Sequence, residues 1–147
     1  MEQRMTMVRE VVVQYRGPRF AQRTGITEPE HAAAFFRKLL PDNSREHFMS
    51  IYLDGAGTII AYSMLDGLAG SCQVHPREIF QPAILVGAVS VLVSHNHPSG
   101  KCDPSAEDDK VTRGLKAAAE ILGLKLLDHV VLGDSDSNYS YAEHGQL

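Results

Sequence analysis

The sequence predicts an α/β (or α+β) domain, one mixed β-sheet flanked by about three helices. Three observations carry that class. Runs rich in Val, Ile and Leu at 48–53, 58–65, 88–93 and 125–132 read as strands. Segments with helical apolar spacing and recognisable start and stop residues separate several of those runs. The 147 residues contain no internal repeat, low-complexity tract or linker, so one core is expected. A chain of this size buries roughly two thirds of its unfolded surface, enough for a core without disulfides.

Taken in order, residues 8–15 are β-branched and aromatic enough for a strand, which Gly17-Pro18 stops. Thr27 reads as an N-cap, with Glu30 completing a capping box and Pro29 in the first turn. Ala32, Phe35, Phe36, Leu39 and Leu40 form the buried stripe of that helix, and Pro41 ends it. Phe48–Leu53 and Thr58–Leu65 are the arms of a hairpin turned by Asp54-Gly55-Ala56-Gly57. Residues 67–74 suggest a short strand. His75 precedes Pro76 as the cap of a helix reaching about Leu85 or Val86. Residues 88–93, broken only by Ser90, are a nearly continuous apolar run, the pattern of a strand buried on both faces. Ser105 N-caps the last long helix, with Asp108 at its third position, Leu115, Ala118, Ala119 and Leu122 buried, and Gly123 closing it. A strand at 125–132, a turn at 133–138 and a short strand at 139–141 follow.

Charge and composition exclude several classes. The net charge of −4 argues against a chain built to grip nucleic acid backbone. The charge is uneven: residues 1–25 carry +3 and residues 26–147 carry −7. A basic arm at 1–25 is therefore expected on an acidic domain at 26–147. The arm can touch an anionic partner or simply be a solvated terminus. No apolar run approaches a membrane span and no secretory signal is expected. Two cysteines, Cys72 and Cys102, make no disulfide framework. A cytoplasmic protein is expected, with Cys72 a small buried residue.

The stretch that carries chemistry is Ser94-His95-Asn96-His97-Pro98-Ser99-Gly100, followed by Ser105-Ala106-Glu107-Asp108. In extended backbone, residues i and i+2 point to one side, so both imidazoles can converge. Asp108, in the first turn of a helix, can swing its carboxylate back over the loop. Two imidazoles and a carboxylate suit Zn²⁺, and three protein ligands leave a fourth position for water, the layout of a catalytic site. Zinc would lower that water's pKa to about 7. A His-x-His followed by an Asp also fits ordinary surface or core histidines. Pro98, the Gly100 loop and the Ser-x-x-Asp helix start favour the metal.

The set His95-x-His97-Pro98, then Ser105-x-x-Asp108, resembles the JAMM motif of the JAB/MPN metallopeptidase fold, of cytidine-deaminase-like architecture. His95-Asn96-His97-Pro98-Ser99-Gly100 resembles the signature of the bacterial RadC-like proteins. His75-Pro76-Arg77-Glu78-Ile79-Phe80 and Leu126-Leu127-Asp128-His129 extend the likeness over roughly residues 26–143. The resemblance implies that His95, His97 and Asp108 bind zinc. It implies that Ser105 hydrogen-bonds the activated water or the developing oxyanion. It also asks for a glutamate near the start of the first hairpin strand as general base, and Glu46 matches that position.

There are departures from the family pattern. Lys101-Cys102-Asp103-Pro104 replaces the usual acid and prolines, and Asp109 replaces a usually apolar residue. Asp109 could offer an alternative carboxylate and Cys102 an accidental thiol, but the spacing selects Asp108. No counterpart of the helix-hairpin-helix region of full-length members is expected, which leaves only the basic arm for DNA. His129 beside Asp128 reads as a core histidine or one that supports a ligand, and His47 should point away from Glu46.

Three functions therefore compete. The first is a zinc-dependent hydrolase of peptide or isopeptide bonds acting on a protein or peptide. The second is a DNA repair or DNA-transaction accessory. The third is an interaction module without catalysis, against which the intact His95, His97, Ser105 and Asp108 count.

Overall fold

The computed structural model describes residues 12, 14, 25–65 and 74–147. The elements run α1 (Pro29–Leu39), β1 (Phe48–Leu53), β2 (Ile59–Leu65), α2 (Pro76–Leu85), β3 (Ser90–Asn96), α3 (Ala106–Leu122), β4 (Lys125–Leu132) and β5 (Asn138–Ser140). The five strands form one mixed sheet in the order β2-β1-β3-β4-β5.

Asp54 makes the hairpin turn. Its carboxylate accepts from the amides of Ala56 and Thr58, each at 2.9 Å, the local bonding that suits Asp to turns. β1 pairs antiparallel with β2 and with β3, whereas β3 and β4 run parallel. Parallel neighbours need a long crossover, and α3 supplies it.

Both faces of the sheet are covered. Phe48, Tyr52, Val91 and Val93 pack on one face with Ile79, Phe80 and Ala83 of α2 and Leu115 and Ala119 of α3. Met49, Ile51, Leu53, Leu92, Val130 and Leu132 pack on the other with Ala32, Ala33 and Phe36 of α1. Hence β1 and β3 are buried along their whole length, the polar Ser50, Ser90, Ser94, His95 and Asn96 included.

The expected α/β class and about three helices match the structure, and several details differ or fall outside it; Leu122, expected on the buried face of α3, is 46 % exposed. α1 is capped by Glu28 without a side-chain hydrogen bond, not by Thr27. Pro29 at the first helical position holds the residue before it extended, which sets the start one residue later than the capping-box reading. Thr27 Oγ1 instead meets His31 Nδ1 at 3.2 Å. β3 continues past Val93 through His95 and Asn96, because β1 and β4 go on bonding to it where its side chains turn polar. The strands expected at 8–15 and 67–74, and Cys72, lie outside the described residues apart from Val12, Gln14 and Val74. No helix among the described residues is long and apolar enough to cross a membrane.

The loop after β3 is braced from behind. The Gly100 amide donates to the His97 carbonyl at 2.9 Å, and the Asp134 amide donates to the Gly100 carbonyl at 2.8 Å. Gly100 has φ +83°, and a Cβ there would lie 2.0 Å from Asp134 Oδ2. The positive φ demands glycine. Arg37 of α1 donates to the carbonyls of Gly133 at 3.1 Å and Ser137 at 2.6 Å, holding the turn on which the loop rests.

Candidate metal centre

The site lies where β3 ends and α3 begins. The alternation of β3 sends His95 to the α2/α3 face with Val91 and Val93, and His97 follows one step beyond the strand. His95 Nε2 lies 3.0 Å from His97 Nε2 and 3.1 Å from Asp108 Oδ1. His97 Nε2 lies 3.3 Å from Asp108 Oδ2. Among the described residues, these three form the one group of His, Cys, Asp and Glu side chains that could hold a metal.

The residues fit a zinc ion on two grounds. Ligand atoms held tetrahedrally at 2.0–2.1 Å from zinc are about 3.3 Å apart, close to the three separations here. The His97 Nδ1–H donates to the Lys101 carbonyl at 2.9 Å, leaving Nε2 with its lone pair toward the site. Acceptors that converge at such distances need a shared proton or a metal cation between them. The His95 side chain is 1 % exposed, His97 18 % and Asp108 13 %, so one side of the triad is open to solvent.

The helix start aims the carboxylate. Ser105 and Asp108 form a capping box: the Ser105 amide donates to Asp108 Oδ2 at 2.7 Å, and the Asp108 amide donates to Ser105 Oγ at 3.1 Å. Burial would raise the Asp108 carboxyl, but the hydrogen bonds from His95 and His97 hold it well below the usual carboxylate range. The hydrogen bond to Asp108 raises His97, against partial desolvation, and the Glu46 charge adds to the rise.

That charge effect agrees with the strand register. Phe48 pairs with His95, and the same register carried two residues past the start of β1 would set Glu46 opposite His97. Its parity is that of Phe48, whose ring lies parallel to the His95 ring at 6.1 Å. His47 has the opposite parity and is buried, with its Nε2 3.8 Å from Asp42, so it does not share the side of Glu46. His75 caps α2 in a second capping box with Glu78.

Two residues of the site carry signals that went unread in the sequence. Asn96 sits between the two histidines and faces the other way. Its Oδ1 accepts from the His47 amide at 2.7 Å, and its Nδ2 donates to Asn43 Oδ1 at 2.7 Å and to the Arg45 carbonyl at 3.0 Å. It thereby clamps the segment that carries Glu46. Thr112, one turn after Asp108, reaches His129 with Oγ1 to Nδ1 at 2.6 Å. The same alternation that groups the histidines sets Asn96 apart, and i+4 spacing sets Thr112 beneath Asp108.

His129 braces His95, with Nε2 2.8 Å from His95 Nδ1. Burial pushes its pKa well below the ordinary histidine value. The Tyr141 ring stacks on it at 5.1 Å, and the Tyr141 hydroxyl donates to Asp109 Oδ1 at 2.7 Å. Asp109 is thus engaged away from the triad, and Cys102 is not part of it. Burial raises the Asp128 carboxyl, opposed by the Ser140 hydroxyl and the amides of Ala142 and His129.

A three-layer α/β domain with two histidines and an aspartate at a strand–helix junction defines the class as a JAB/MPN-like fold carrying a candidate metal centre. Residues 26–146 match the RadC-like JAB domain, and the chain belongs to that family. It is 43 % identical over 122 residues to a UPF0758 protein of Trichlorobacter lovleyi, covering 82 % of this chain and 53 % of the relative. It is 40 % identical over 123 residues to a UPF0758 protein of Rubrobacter xylanophilus, covering 83 % and 53 %. A UPF0758 protein of Pelobacter propionicus is 38 % identical over 134 residues, covering 90 % and 58 %. The chain thus spans little more than half the length of these curated relatives.

Proposed function

We propose that this domain is a zinc-dependent hydrolase of peptide or isopeptide bonds in a protein or peptide substrate. The observation that supports it most is the solvent-open triad of His95, His97 and Asp108, with the Glu46 charge acting on His97. Zinc bound there would act as a Lewis acid on the scissile carbonyl and make water a better nucleophile at neutral pH. Glu46 accepts a proton from the attacking water. The C–N bond breaks, and Glu46 returns that proton to the leaving amine. Ser105 has room for two roles, because capping uses a lone pair of its oxygen while the hydroxyl proton remains for the oxyanion. Asn96 holds the segment that carries Glu46, and Ser105 N–H holds the Asp108 carboxylate.

The test is cleavage of peptide and isopeptide substrates by zinc-loaded protein, with chelated protein and Glu46→Gln as controls. Zinc-dependent cleavage that Glu46→Gln abolishes is expected. Absence of cleavage across both substrate types, with zinc bound, would contradict the reading. DNA in the same screen tests the accessory alternative, for which the basic residues 1–25 are the motive.

A further inference from the structure

We infer that Thr112 and His129 are positioning residues, which fix the tautomer and ring direction of His95 so that Nε2 presents its lone pair to the metal. The inference rests on the reading of the triad as a metal site and adds to it two residues outside the triad.

The argument is a count of protons. Thr112 Oγ1 lies 2.7 Å from the backbone carbonyl of Asp108. A carbonyl only accepts, so this contact takes the single hydroxyl proton. The 2.6 Å contact between Thr112 Oγ1 and His129 Nδ1 must then be an N–H donated by the imidazole. A neutral imidazole that donates from Nδ1 accepts at Nε2. His95 Nδ1 lies 2.8 Å from His129 Nε2, so it carries a proton. The remaining ring nitrogen of His95 is Nε2, the atom that faces His97 and Asp108.

The direction of every bond is therefore set by one carbonyl, that of Asp108. The relay begins on one member of the triad and ends on another, tying the first turn of α3 to the end of β3 through β4. His129 is fully buried. Its ring stacks on Tyr141 and tilts against Phe48 at 5.6 Å, so it cannot turn to solvent for another partner. The opposite tautomer of His95 would aim an N–H at the metal position and bar coordination. Groups that orient a ligand histidine in this way typically change metal affinity about 10- to 100-fold when removed.

The experiment has two arms. The first is ¹⁵N NMR of the histidine side chains in the metal-free protein. It should show a proton on Nδ1, with Nε2 bare, for His129, and a proton on Nδ1 for His95. A proton on His129 Nε2 alone would overturn the relay. The second is zinc affinity by chelator competition. Thr112→Val keeps the shape but removes the hydroxyl, and should weaken zinc about 10- to 100-fold. Thr112→Ser restores the hydroxyl and should restore affinity. His129→Phe should weaken zinc at least as far as Thr112→Val. If His129→Phe does not fold, the Thr112 pair and the NMR arm still decide. Wild-type affinity in folded Thr112→Val overturns the relay alone. A wild type that binds no zinc overturns the metal reading and this inference with it.

Discussion

His95 stands near the end of β3 and Glu46 just before the neighbouring β1, yet the molecule holds them in different ways. His95 is buried, stacked by Phe48 and hydrogen-bonded to His129, which is itself bonded to Thr112. Glu46 is partly exposed, on the segment before β1 that Asn96 clamps from the far face of the sheet. Ser105 resembles Glu46 in this, since it is exposed at the tip of α3. The proposed centre would thus have a ligand half built into the sheet and a proton-handling half on its rim. Metal binding and turnover should separate under mutation.

The sharpest break is His97→Ala. It removes one of three ligands, so zinc binding and hydrolysis should both be lost, measured by elemental analysis and substrate turnover. Retention of stoichiometric zinc would show that the ligand half is wrongly drawn. Glu46→Gln strikes the other half. Zinc content should be unchanged, while turnover falls by about 10²- to 10⁴-fold, the usual reach of a general base. Wild-type turnover would assign the proton to another group.

Ser105→Gly refines the contrast. Glycine is tolerated as an N-cap with a loss of only a few tenths of a kcal/mol. A fall in turnover of ~10²-fold, with zinc bound and the melting point nearly unchanged, would mark Ser105 as an oxyanion donor. Full activity would reduce it to a cap. Asn96→Ala should have the smallest effect on turnover and none on zinc, because its side chain faces away from the triad. It leaves the His47 amide and the Arg45 carbonyl without their partner, at about 1–3 kcal/mol of stability in denaturant unfolding. Loss of zinc from folded Asn96→Ala would show that the two faces of β3 are coupled.

The halves also differ in how far the sequence reveals them. Strand parity and the Ser-x-x-Asp helix start make His95, His97 and Asp108 candidates from local spacing, and the likeness to a known motif singles them out. Those rules work because the three residues are placed by backbone geometry close to them in the chain. The support behind His95 is different. Thr112 follows from helical spacing, but its meeting with His129 depends on β4 pairing parallel to β3, a non-local fact. The end of β3 was obscured because apolar runs signal strands, and the last residues of this strand are Ser, His and Asn. Their polar groups are satisfied inside the fold, by the Val130 carbonyl for Ser94, by His129 for His95 and by the 43–47 segment for Asn96. At α1 the local signal misled: Thr27 and Glu30 match a capping box, and Pro29 overrides it by setting where the helix can begin.

The central claim, three protein ligands and an open fourth position on a zinc ion, is met most directly by X-ray absorption at the zinc edge on protein loaded with one equivalent. The account predicts about four nitrogen or oxygen ligands near 2.0–2.1 Å, with the scattering of two imidazoles and no sulfur. A zinc–sulfur distance near 2.3 Å would place a cysteine in the site. That result, or failure of the folded protein to retain zinc, would contradict the account.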